Sequence, residues 1–461
     1  MHKLSSLIVT FLVALYTPAA FADEFQDLAT GFGTATTLAG IAHSSTTNSD
    51  GTSINFWNTS SEGAQASITS LSNPHMAAAD AFGNIYIADK ASHAILEITT
   101  DGKIHTFAGT HAAGFNGDGP APATTLQIFS PNGLYVFPDG TVYLLDPGNH
   151  RIRRVDKNGI MTTVVTDPDP NWYPSGRALW VSRDEQLIYY TNEFAPVPPS
   201  IIADGATVKK WTPGGGIEIV CSKSVGFRNP GNIAVNPIDG KLYVTDRAED
   251  DSSKMATGVW RIDGIDQRTR VTGNITQPLP LDGQLALNSY IDGVRGIAFL
   301  SNGAYFLCGH KDGNIWYVDS GGVLHRYIRG KGSKDTYLLG NGQHPPIAAQ
   351  DYLCQPRAVT LAPNGSLLGV CNDSGYVFEV KNILSQLLPL DLKAVRRDPE
   401  GLHLNWKGAL NQAYVVERTQ NLQSSPWEIV GATSGNGGVT EFIDQTAGTL
   451  GHTFYRLSRP R

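Results

Sequence analysis

The sequence predicts an all-β chain: a six-bladed β-propeller closed by an N-terminal strand, followed by a small β-sandwich. One phrase returns six times. It is a Pro or Gly, a short apolar run, a turn carrying Gly or Asp, a second apolar run and a polar stop. The copies run Asn73-Pro74 to Asp89, Ser130-Pro131 to Asp146, Tyr173-Pro174 to Asn192, Asn229-Pro230 to Asp246, Gly293 to Cys308 and Gln355-Pro356 to Cys371. Further strand-like runs follow each copy, as in "ASHAILEITTDGKIHTFAG" and "GNHRIRRVDKNGIMTTVV". A self-similar unit of four short strands, recurring at roughly 45–65 residues, is the sequence signature of a propeller.

Taken in order, residues 1–22 read as a secretory signal. Lys3 supplies the positive start, Leu7 to Leu15 an apolar core too short to span a bilayer, and Ala20-Phe21-Ala22 the small-x-small cleavage site. No later stretch is apolar enough to cross a membrane. The expectation is a soluble, secreted or periplasmic protein, monomeric, with no membrane span.

Residues 23–388 are assigned to the propeller. The last copy, "PRAVTLAPNGSLLGVCNDSGYVFEVKN", stops after three strands. The missing fourth is expected from "TATTLAG" at 34–40, which matches "IHTFAG" at 104–109. A strand borrowed from the other terminus closes the ring and removes open sheet edges.

Beyond Pro389 the pattern changes to short alternating strands between turn residues, "LKAVRRDPEGLHLNWKG", "QAYVVERTQNL", "PWEIVGATS", "TEFIDQT" and "HTFYRLS". Residues 389–461 are expected to form a small antiparallel sandwich with Trp406 and Tyr414 in its core. No chemistry is assigned to it.

The formal charge of −7 is spread without blocks, which argues against a nucleic-acid partner. Four cysteines, Cys221, Cys308, Cys354 and Cys371, permit disulfides in an exported chain, and a hairpin staple between Cys354 and Cys371 competes with buried free thiols. No CxxC pair is present, so a structural zinc site of that type is not expected.

The wording of the repeats, "GNIYIADKASHAILEI" and "GTVYLLDPGNHRIRRV", resembles the NHL repeat family. The connector "FAGTHAAGFNGDGPAPATTLQIFSPNG", with weaker copies later, resembles the long link of exported bacterial members. The resemblance covers about residues 34–382 and implies fold, leaving activity open, because propellers host unrelated functions. Leu404-Asn405-Trp406, Tyr414 to Glu417, Trp427 and Phe454-Tyr455-Arg456 resemble a fibronectin type III-like C-terminal module.

In a propeller the opening residues of each first strand rim one mouth of the channel. Aligning the copies puts His75, Asn132, Arg177, Gly231, Arg295 and Arg357 in one ring, Arg177 after a one-residue shift. Arginine forks suit a carboxylate, sulfate or phosphate. The competing reading pairs these arginines with Glu193, Asp246 and Asp373 as struts between blades. Two long loops, 193–207 and 247–258, flank the same mouth, and loops on a rigid scaffold carry binding. Glu249, Asp250 and Asp251 are a candidate Ca²⁺ site, set against a solvated acidic loop, and no metal ligand is assigned.

The resulting expectation is binding of an extracellular ligand, an anionic glycan or else a protein, at His75, Asn132, Arg177, Arg295 and Arg357. Trp172, Tyr173 and Phe194 are loop aromatics suited to sugars. The alternatives are an enzyme on the same face, a polysaccharide lyase or metal-dependent hydrolase with His75, His310 or Tyr173 as base, and a protein-interaction scaffold. NHL propellers include a lyase that holds zinc on channel histidines, but only His75 falls on the inner ring here. Similar lactonases hold Ca²⁺ on channel carboxylates and asparagines. Here Asn132 and Asn232 are candidates for such a set, and no inner-strand Glu or Asp completes it. Asp89, Asp146 and Asp246 recur blade by blade and read as turn caps.

Overall fold

The computed structural model describes residues 35–169 (save 42, 44, 45, 47, 50 and 51), 178–193, 206–246, 257–273, 283–328, 355–381, 392–407, 413–420, 427–434, 439–447 and 453–458. These residues form an all-β, propeller-type arrangement of antiparallel sheets with short 3₁₀ turns. Arg177, Tyr173, Trp172, Phe194, Cys354 and the acidic loop with Glu249, Asp250 and Asp251 lie outside the described residues.

Six of the sheets follow one another along the chain. Their first strands are Pro74–Ala79, Gly133–Val136, Leu179–Val181, Pro230–Val235, Val294–Phe299 and Ala358–Leu361. Each strand pairs with the next in sequence, because turns such as Gly83 and Gly140 reverse the chain at positive φ. The first strands touch one another in cyclic order, Ala358–Leu361 meeting Pro74–Ala79 as well as Val294–Phe299. The sixth sheet takes its outer strand from the start of the described chain: Ala35–Ala39 pairs antiparallel with Tyr376–Val380.

Alternate residues of each strand face the neighbouring sheet, and the apolar core lies between sheets. Ile87, Leu96 and Leu144 are buried in one such layer, and Phe306, Tyr327 and Phe378 in another. Dispersion and burial across these layers hold sheets that share no backbone ladder.

The connectors add a feature absent from the sequence expectation. Ala121–Pro122 and Gln284–Leu285 are two-residue strands on the outer edges of the second and fifth sheets. Beside them, buried Ala123 and Ala286 donate backbone N–H groups to the carbonyls of Gly159 and Gly322, each at 2.8 Å. Ala66 repeats the contact to Gly102 at 2.9 Å. One connector design thus pins three sheet edges.

After residue 392 come two three-stranded sheets: Lys393–Asp398, Gly401–Lys407 and Val439–Asp444, then Glu428–Ser434, Ala413–Thr419 and Phe454–Ser458. Leu404, Trp406, Tyr414 and Val416 form their buried centre, with the Trp406 and Tyr414 rings edge to face at 5.6 Å.

Candidate functional site

The first strands enclose a channel of about 330 Å³, lined by residues such as Met76, Leu134, Trp180, Ile233, Ile297 and Leu361. Its described wall carries polar Tyr135, Asn232 and Thr360 and no charged side chain. The ring of His75, Asn132, Arg295 and Arg357 lies instead where the first strands begin.

There the sheets approach closely. Gly231 has no side chain, and a Cβ on it would lie 2.5 Å from the Arg295 Cα and 2.3 Å from its carbonyl oxygen. Thr245 Oγ1 donates to the same carbonyl at 2.6 Å, fixing the Arg295 backbone. One residue on, a Cβ on Gly296 would meet the Val359 nitrogen at 2.8 Å. Arg295 and Arg357 therefore start neighbouring strands at one level. On the other side Thr360 Oγ1 donates to Ala77 O at 2.6 Å, and Leu134 N–H points at Met76 Sδ at 3.5 Å. These contacts bring His75 and Asn132 to the same end.

The ring residues differ in access. His75, Asn132 and Arg295 are buried, Arg295 to 3% exposure, while Arg357 is half-buried. His75 Nδ1 lies 2.9 Å from the Asn73 carbonyl, so Nδ1 carries a proton and donates it.

His310, a candidate base on this face, is buried. Its Nδ1 lies 3.1 Å from the Gln355 carbonyl and its Nε2 3.9 Å from Asp373 Oδ2. It ties the fifth sheet to the chain entering the sixth, two residues before Arg357. The signal for this was not local, since the partner carbonyl is 45 residues away.

The aspartates that end second strands do more than cap turns. Asp89 accepts the Ser72 N–H, Asp146 that of Phe129, and Asp246 those of Arg228 and Asn229, at 2.7–3.0 Å. Each clamps the connector that leads into its own sheet. Burial drives the Asp89 carboxyl up to about 6, and the Asp146 carboxyl is raised for the same reason. In the third sheet Lys209 Nζ, buried, pairs with Asp167 at 2.8 Å, and Tyr190 and Asn192 also bond to Asp167.

Cys221 and Cys308 are buried free thiols, and burial pushes them up to about 11 and 12. Inert packing is their role. Cys371 is buried, and its Cys354 pairing falls outside the described residues.

No protein-family profile matches the chain. A gluconolactonase from Zymomonas mobilis is 24% identical over 243 residues, 50% of this chain and 59% of that protein. The match thus spans less than two thirds of the curated relative. A solved protein of unknown function from Bacteroides thetaiotaomicron superposes with a TM-score of 0.54 at 11% identity, covering 75% of each chain. An auxiliary nutrient binding protein from Bacteroides ovatus gives 0.52 at 12% identity, covering 75% of this chain and 76% of its own. At these identities the structural likeness speaks for fold alone. No helix among the described residues is long and apolar enough to cross a membrane.

Proposed function

We propose that this protein is an exported, monomeric six-bladed propeller of the NHL type, closed by its N-terminal strand and carrying a fibronectin type III-like module. It binds an anionic extracellular glycan at the mouth ringed by His75, Asn132, Arg177, Arg295 and Arg357. The observation that carries this reading is the side-by-side start of the Arg295 and Arg357 strands at one end of the ring of first strands. Arginines carried by two neighbouring strands suit a carboxylate or sulfate. The uncharged described wall of the channel favours a sugar ring over a second charged group.

A second reading, a hydrolase acting on a sugar-acid derivative at the same mouth, is favoured by the sequence likeness to a gluconolactonase. In that reading the Nδ1–H bond from His75 to Asn73 sets the tautomer in which Nε2 accepts a proton.

Titrating the full chain with uronate oligomers and with neutral oligomers of equal length tests the binding reading. Preferential uptake of the uronate supports it, and equal uptake or none refutes it. Turnover of an aldonolactone that is lost in His75→Gln would favour the hydrolase.

A further inference from the structure

We propose that Asp398, Glu400 and His403, in the C-terminal pair of sheets, form a divalent-cation site with a nitrogen and oxygen donor set suited to Zn²⁺. The three residues belong to one hairpin. Asp398 ends the strand Lys393–Asp398, Gly401 begins the next, and the register pairs Asp398 with Gly401 and Arg396 with His403. One donor atom from each of the three lies within 4.8 Å of the other two.

A hairpin with two carboxylates is ordinary, but His403 is not. Its ring is 1% exposed. Nδ1 lies 2.8 Å from Glu441 Oε1. A carboxylate oxygen only accepts, so the proton sits on Nδ1, although Arg396 Nη2 is 3.3 Å from the same atom. Nε2 is buried and faces Asp398, whose Oδ2 lies 3.0 Å away. At that distance a cation joins the two atoms, either a proton on Nε2 in the metal-free chain or a metal ion that displaces it.

The spacing suits one. Two donors about 2.0–2.1 Å from a tetrahedral ion stand roughly 3.3 Å apart, within a few tenths of an ångström of the separation seen. The Glu441 carboxylate behind the imidazole reproduces the carboxylate–histidine–metal relay that fixes the tautomer of ligating histidines. Charge agrees as well. Asp398, Glu400 and Glu441 set against Arg396, whose Nη1 is 3.4 Å from Asp398 Oδ2, leave two negative charges for a divalent ion. An imidazole with carboxylates favours Zn²⁺ or Mn²⁺ over Ca²⁺. Exposed Glu400 gives the ion an entry path.

The test is calorimetric titration of the chelator-treated full chain with ZnCl₂, beside Glu400→Gln, Glu441→Gln and Asp398→Asn. Glu400 and Glu441 are exposed enough for these changes to leave the fold intact. One equivalent of Zn²⁺ should bind the wild type and raise its melting temperature. Glu400→Gln and Asp398→Asn should each weaken uptake at least tenfold, and Glu441→Gln by about 10–100-fold through the lost relay. No uptake of Zn²⁺ or Mn²⁺ by the wild type, or uptake unchanged in Glu400→Gln, would overturn the site and leave His403 as an ion-paired strut.

Discussion

The Thr360 hydroxyl donates to the Ala77 carbonyl at 2.6 Å across 283 residues of chain. It joins the first strand of the last propeller sheet to that of the first. The Ala35–Ala39 strand adds a full ladder to the same last sheet from the other terminus. If the ring depends on both, Thr360→Val should cost about 1 kcal/mol, the net worth of one hydrogen bond. Deletion of residues 23–40 should lower the melting temperature far more and expose a sheet edge that aggregates. A deletion that melts like the parent would dispose of the closure scheme.

Lys209 of the third sheet and Asp167, just past the last strand of the second, form a buried pair, with side chains 6% and 2% exposed. Removing one partner strands the other charge. Lys209→Met should therefore destabilise by about 3–5 kcal/mol, whereas the double change Lys209→Met with Asp167→Leu should recover part of the loss. Urea unfolding of the three proteins decides it. A single variant within about 0.5 kcal/mol of the parent contradicts the pair's assigned role.

Asp89 and Asp312 carry a pH signature. Burial raises their carboxyls to about 6 and about 7 in the folded protein, above the unfolded value of 3.8. The folded state thus holds more protons than the unfolded chain between pH 4 and 7, and stability falls as pH rises through that window. For Asp89 a shift of two units corresponds to on the order of 3 kcal/mol. Asp89→Asn should flatten the slope between pH 4 and 6 and be more stable than the parent at pH 7.5. A slope unchanged by the substitution would remove Asp89 as its source.

The C-terminal sheets have their own apolar centre in Leu404, Trp406, Tyr414 and Val416. Trp406→Ala should cost that unit about 3–5 kcal/mol. If the boundary near residue 389 is real, differential scanning calorimetry will show one transition moving and the other standing still. A joint shift of both would mean a shared core.

Strands and their order were legible because six copies repeat one apolar alternation, and the outer strand at 35–39 because it repeats the wording at 104–109. Other features were not. Ala121–Pro122 and Gln284–Leu285 are too short to show a period. The pairing of Lys209 with Asp167 bridges 42 residues, and the burial of His310 depends on the Gln355 carbonyl in another sheet. The hairpin of Asp398 and His403 carries no local signal, because its meaning rests on Glu441, 38 residues further along. Local pattern reveals ladders, while side-chain chemistry is assembled by the topology.

The most direct measurement is calorimetric titration of an acidic oligosaccharide, such as a uronate oligomer, into the wild type, Arg357→Lys and Arg357→Ala. A charge-assisted hydrogen bond contributes about 1.5–3 kcal/mol. Arg357→Ala should weaken binding by roughly tenfold or more, with Arg357→Lys intermediate because the planar fork is lost. Affinity unchanged in Arg357→Ala, together with a lowered melting temperature, would contradict the anion site and make the arginines struts between sheets.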